Sequence, residues 1–146
     1  MAPTAHWTGS HPDYDIYKAG GVILRDRKFL LGRSKGKTLF INPGGKLEPG
    51  ETPEQALIRE VREELGIVVH TGDLRPYGTY YAIAAGHKDT RLRMDMFIIE
   101  SWEGEPRPDN EIEEIRWFDS TMNGQQTGSI LEHKVIPKLK AERLID

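Results

Sequence analysis

The stretch that most constrains this chain runs from Gly44 to Ile67, GGKLEPGETPEQALIREVREELGI. Pro43, Gly44, Gly45, Pro49 and Gly50 punctuate its entry as a loop and allow backbone to approach a ligand closely. A helix is expected over about residues 53–65. Thr52 is a good N-cap, Pro53 suits the first helical position, and Gln55 completes a T-x-x-Q capping box. Leu57, Val61 and Leu65 recur every four residues and turn one stripe to a core, and Gly66 is the expected stop. At 100° per residue, Glu60, Glu63 and Glu64 span roughly 100° of arc beside that stripe. Carboxylates so close repel one another, and their pKa values rise unless something positive joins them. A divalent cation with hard oxygen ligands resolves the repulsion, and Mg²⁺ suits a site where phosphates also bind. The carbonyl of Gly44 or Gly45 is a candidate further ligand. Against this stands the plainer reading of a solvated helix with interleaved charges, in which Arg59 and Glu63 merely pair at i, i+4.

The rest of the sequence bounds the setting. A chain of 146 residues suits one domain, and 37% hydrophobic with 29% charged residues suits a soluble globular protein. A net charge of −3 argues against a broad basic surface for a nucleic-acid polymer. There are no cysteines, which removes disulfides, thiolate metal sites and a Cys nucleophile and fits a reducing compartment. No apolar run is long enough for a membrane span, and the start lacks a signal pattern, so a cytoplasmic location is expected.

Residues 1–15 are polar and aperiodic and read as a loose arm, with Trp7 free to dock on the domain or on a partner subunit. His6 and His11 read as ordinary exposed histidines. Residues 16–146 read as one domain. Ile16–Arg25 reads as a buried strand, Asp26–Arg27 as a turn, Lys28–Arg33 as the returning strand, and Thr38–Ile41 as a short strand. Asp73–Ala85 and Thr90–Trp102 read as long strands joined by a turn at Gly86–Asp89, the second of them half-buried because Leu92, Met94, Met96 and Ile98 alternate with Arg91, Arg93 and Asp95. A last strand falls within Glu111–Asp119. Ser129 and Glu132 form a second capping box, opening a helix to about Arg143 that Pro137 should kink or break. Arg33 and Lys46 are candidate phosphate ligands, whereas Lys35 and Lys37 read as a solvated turn.

Gly45, Glu51, Arg59-Glu60, Glu63-Glu64 and Gly66, with Val61 and Ile67 aliphatic, match G-x5-E-x7-R-E-U-x-E-E-x-G-U at every defined position, U being aliphatic. Such a match arises by chance roughly once per billion starting positions at average residue usage. The stretch resembles the box of the Nudix hydrolases. The resemblance implies an α/β (α+β) fold, a mixed β-sheet sandwiched between helices. It implies that Glu60, Glu63 and Glu64 hold Mg²⁺, with Mn²⁺ as the substitute, and that Glu51 and Arg59 keep loop and helix in place. A carboxylate outside the box often completes such a site: Glu111 is the first candidate and Glu114 the second. The general base is Glu63, Glu60 or Glu111, and the sequence does not choose among them. Partner subunits are common in the family, so a homodimer is an open expectation.

The activity implied is hydrolysis of a nucleoside diphosphate linked to a group X. GETPEQA (50–56), ESWEGEP (100–106) and VIPKLK (135–140) resemble the MutT-type nucleotide sanitisers. They favour a nucleoside triphosphate, ordinary or oxidised, cleaved to monophosphate and pyrophosphate. Glu132 stands where such enzymes read the purine with an amide, a departure that speaks against specificity for 8-oxoguanine. Tyr80 and Tyr81 are candidates for stacking on a base. The alternatives are an ADP-sugar or dinucleoside polyphosphate as substrate, or a non-catalytic nucleotide-sensing module. No proline stands in YYAIAA (80–85), which lowers the ADP-sugar reading. Sensors commonly lack one of the box glutamates, and here all are present.

Overall fold

The computed structural model describes residues 6–83, 89–121, 127 and 130–146. Strand β1 (Ile16–Arg25) is central because its glycines and β-branched residues leave both faces free to pack. From Ile16 to Ile23 it runs parallel to β5 (Arg91–Ile99), and β4 (Leu74–Ile83) closes that side antiparallel to β5. Its far end turns at Asp26 and Arg27, both with positive φ, into β2 (Lys28–Ser34), which pairs with β6 (Ile112–Phe118). A three-residue strand β3 (Gly44–Lys46) lies antiparallel against the start of β1. The result is a mixed six-stranded sheet in the order β4-β5-β1-β2-β6, with β3 as a short edge beside β1.

One helix covers each face. Helix α1 (Pro53–Leu65) carries the Thr52–Gln55 capping box and ends at Gly66, whose φ of 68° lets its N–H reach the Arg62 carbonyl. Its buried Ala56, Leu57, Val61 and Leu65 pack with Ala19, Ile23, Leu30, Phe97 and Ile99. On the other face Val22, Phe29, Leu31, Met96, Ile98 and Phe118 meet the C-terminal segment through Leu131, Val135 and Leu139. Neighbouring residues of one strand thus enter opposite cores, as strand pleating requires. This is the sheet sandwiched between helices that the sequence implies.

Three expectations need correction, and a fourth gains detail. Residues 38–41 are not a strand: Phe40 and Ile41 make only isolated bridges, and the pairing strand is β3, formed by the glycines that allow close contact with β1. Strand β5 is half-buried only over Leu92, Arg93 and Met94, because Asp95 to Ile99 are buried on both faces. Residues 1–5 lie outside the described residues, and within the arm Trp7 docks on the domain, one of the two placements expected for it. The Trp7 N–H donates to the Glu51 carbonyl at 2.8 Å and the Gly50 N–H to the Trp7 carbonyl at 2.6 Å. The Trp7 ring stacks on Tyr14 and meets Tyr17 edge-on, and Tyr14 itself is buried. The last helix stops at Ala141, short of Arg143. Pro137 does not break it: a π-turn over Leu131–Val135, with the Ile136 N–H reaching back to the Leu131 carbonyl, precedes α2 (Ile136–Ala141). The Ser129 cap, the turn residues 86–88 and the side chain of Glu132 lie outside the described residues.

Candidate active site

The site forms where α1 faces β3. Gly44 has a φ of +138°, and a Cβ there would lie 2.1 Å from the Ala19 carbonyl oxygen, so only glycine lets β3 sit against β1. Gly45 points the other way: a Cβ on it would lie 2.7 to 3.0 Å from the carboxyl atoms of Glu60. The two glycines therefore give backbone and carboxylates a shared, tightly filled space. The Gly44 N–H donates to Glu64 Oε1 at 2.9 Å and ties the loop to the end of the helix.

Arg59 fastens the arrangement. Its Nε and one Nη donate to the two Glu51 oxygens at 2.9 and 3.0 Å, a bidentate pair. The same guanidinium reaches Glu60 Oε1 at 2.7 Å and the Lys46 carbonyl at 3.2 Å. Arg59 holds the Glu51 carboxyl below its usual range. The supporting pair Glu51 and Arg59 is thus in contact and bridges loop, β3 and helix.

The three box glutamates occupy different surroundings. Glu64 is 8% exposed. Burial pushes its pKa up to about 8; the Gly44 amide opposes that, and Glu60, Glu111 and Glu63 add to it. Glu60 is raised mainly by burial, pulled back by Arg59, and raised again by Glu63 and Glu111. Glu63 is the most open: its side chain is 48% exposed and its nearest cation, Arg59, is 3.9 Å away. It edges a surface hollow lined by Gln55, Ile58, Arg59 and Arg62.

Glu111 precedes β6, and its charge is felt by both Glu60 and Glu64, so the fold brings it to the box. Glu114 does not join them. It pairs with Arg116 at 2.6 Å and with Arg33 at 3.2 Å, which hold its carboxyl low. Arg33 is likewise committed, to Glu114, Glu113 and the Lys37 carbonyl, rather than open to a phosphate. Lys46 ends β3 and is exposed. Tyr80 is half-buried with its hydroxyl donating to the Tyr77 carbonyl, and Tyr81 is 61% exposed.

The donors are hard oxygens, and the buried Glu64 has a single backbone N–H to offset its charge, so the residues fit a divalent cation. Among the described residues, no three acidic or histidine side chains already converge on one point, and Arg59 is hydrogen-bonded to Glu60. Sequence reasoning passed over Lys18, set in β1 opposite Lys46. It also passed over Asn42, buried before Pro43 with its amide nitrogen 2.2 Å from where a Cβ on Gly20 would stand. A polar residue inside an otherwise buried run was the available signal for both.

The NUDIX domain family matches residues 17–139. An uncharacterized Nudix hydrolase of Bacillus subtilis is 31% identical over 98 residues, 67% of this chain and 62% of that protein. An 8-oxo-dGTP diphosphatase of Haemophilus influenzae is 39% identical over 62% of this chain and 67% of its own length. The chain spans between 46% and 67% of the length of the curated relatives it matches first. Among solved structures, a MutT NUDIX hydrolase from Burkholderia pseudomallei superposes with a TM-score of 0.68 at 25% identity, covering 80% of this chain and 92% of that one. With a glycine-shaped loop, an arginine-locked helix and an acidic cluster at their junction, the chain belongs to the NUDIX domain family.

Proposed function

We propose that this chain hydrolyses a nucleoside diphosphate linked to X in the presence of Mg²⁺, foremost a nucleoside triphosphate to a monophosphate and pyrophosphate. The observation that carries the reading is the graded acidic cluster. Glu60, Glu63, Glu64 and Glu111 gather around a glycine loop while Arg59 and Glu51 fix the helix below them. Glu60, Glu63 and Glu64, with the Gly44 or Gly45 carbonyl, would hold the metal; Mn²⁺ would substitute. Bound there, a divalent cation neutralises phosphate charge and acidifies water.

The chain's own residues divide the remaining work. Water forms a new bond to one phosphorus, the bridging P–O bond breaks, and the water proton must pass to a base. Glu60 is hydrogen-bonded to Arg59 and Glu64 is buried. Glu63 and Glu111 are the carboxylates with an open face, which favours them as base. Lys46 stands beside the loop as a phosphate ligand, and Tyr80 and Tyr81 on β4 are the candidates for stacking on the nucleobase. Arg33 reaches a phosphate in this reading only by releasing Glu114.

The test is product release across ordinary and 8-oxo dNTPs, ADP-ribose, ADP-glucose and dinucleoside polyphosphates with Mg²⁺. Turnover of triphosphates that collapses in Glu64→Gln supports the reading. Preference for ADP-ribose or a dinucleoside polyphosphate would replace X, and binding of every compound without turnover would leave a nucleotide sensor.

A further inference from the structure

On the sheet face away from α1, the strand registers place Lys46, Lys18, Met94 and Tyr80 in one lateral row. Lys46 is opposite Lys18, Lys18 is opposite Met94, and Met94 is opposite Tyr80. Laterally paired residues of neighbouring strands point to the same face, so the row is continuous across β3, β1, β5 and β4. Lys46 is exposed and the other three are half-buried, with Met94 and Tyr80 packed on the α2-side core. One end of the row is doubly cationic and the other apolar and aromatic.

Lys18 is the unusual member. It stands in a strand whose next five residues are buried. Burial and the neighbouring Lys46 both push its ammonium's pKa below the ordinary value. The half-buried arginines each find an acid: Arg25 takes Glu105, Arg33 takes Glu114, Arg59 takes Glu51, and Arg93 takes Asp95, while the half-buried Lys138 lies over the Tyr77 ring. Among the described residues Lys18 has no carboxylate partner and instead faces a second lysine. A half-buried cation held against a like charge is unfavourable until an anion joins it.

The row also lies next to the acidic site. Two residues along the same face, Gly20 pairs with Gly44, whose N–H holds Glu64. At about 3.3 Å per residue, the lysine pair is on the order of 7 Å along β3 from that contact. β3 is an edge, so a ligand can pass over it from the glutamates to the opposite face.

We propose that Lys18 and Lys46 form a phosphate clamp that makes this site select a polyphosphate ligand, a nucleoside triphosphate over an analogue whose X is an uncharged sugar unit beyond the diphosphate. Met94 and Tyr80 extend the same row beneath the less polar end of that ligand. The inference rests on the proposed nucleotide reading for its substrate but not for its binding test.

The experiment is calorimetric titration of the full chain with Mg²⁺-saturated inorganic tripolyphosphate, on the natural chain, Lys18→Met and Lys18→Arg, with melting curves for each. Lys18→Met keeps an unbranched apolar stem and should weaken tripolyphosphate binding about tenfold, the scale of a hydrogen bond to a charged group. Lys18→Arg should keep it within about threefold. In the kinetic arm, Lys18→Met should raise KM for a dNTP by a similar factor while leaving KM for ADP-glucose within about twofold. Unchanged tripolyphosphate affinity in Lys18→Met overturns the clamp, as does equal weakening in Lys18→Met and Lys18→Arg, which would mark a packing role. Should Lys18→Met fail to fold, Lys46→Met reads the same clamp from its exposed half. If the natural chain binds tripolyphosphate through Lys18 yet hydrolyses no nucleotide, the clamp stands and the hydrolase reading fails.

Discussion

Glu64→Gln separates the charge of Glu64 from its shape. Glutamine keeps an oxygen for the Gly44 N–H, so the loop stays tied to the helix. In the natural chain the carboxyl is raised from 4.5 to about 8 by burial. A folded-state value above the unfolded one means that the folded state holds the proton more tightly. Below about pH 4.5 the group is neutral in both states and the full contribution is present. As pH rises toward 8 the unfolded chain ionises freely while the folded chain must ionise a buried group, and stability is lost. The interval between 4.5 and about 8 corresponds to a ceiling of roughly 5 kcal/mol. Urea unfolding in EDTA at pH 5, 6, 7 and 8 measures it. The stability difference, variant minus natural chain, should grow steadily from pH 5 to 8 by a few kcal/mol, other groups cancelling in the subtraction. Excess Mg²⁺ should shrink the difference at pH 8, because a cation beside Glu64 stabilises its charged form. Parallel stability profiles for the two proteins in EDTA would refute the burial argument.

Further outcomes follow from the same geometry. Gly45→Ala puts a methyl 2.7 Å from the Glu60 carboxyl, so kcat should fall about tenfold or more while the melting temperature moves little; Gly44→Ala collides with backbone and should cost about 3 kcal/mol or more of stability by urea unfolding. Trp7→Ala releases the segment that hydrogen-bonds Gly50 and Glu51, and should cost about 2 kcal/mol while raising the Mg²⁺ concentration needed for half-maximal rate. Glu114→Gln should leave kcat within about twofold, its carboxyl being held by Arg33 and Arg116, whereas the base variant among Glu63→Gln and Glu111→Gln should lose about a hundredfold and the acidic limb of the pH–rate profile.

The local grammar of the box was legible without a fold. The Thr52–Gln55 cap, Pro53 and Gly66 define a helix by interactions that span four residues or fewer, so its limits read directly from the letters. The Glu51–Arg59 pair was legible because the family motif fixes both residues. Long-range pairing was not. That β3 rather than residues 38–41 pairs with β1 depends on Gly20 and Gly44 meeting across 24 positions, a match no local period reports. The arm looked loose because its anchor, the backbone pair of Trp7 with Gly50 and Glu51, belongs to no sequence pattern.

The sequence by itself determined which side chains were available: four carboxylates near a glycine loop, one arginine to lock them, and no thiol chemistry. Tertiary structure decided which of those side chains were spoken for. Glu114 was a candidate second to Glu111, and Arg33 a candidate phosphate ligand, until strand pairing brought Arg33 to Glu114 across β2 and β6. It likewise decided that Lys18 has a lysine rather than an acid for a neighbour. The physical reason is that a residue type fixes intrinsic charge and shape. The partner, the burial and hence the working protonation state come from whatever distant strand the fold lays beside it.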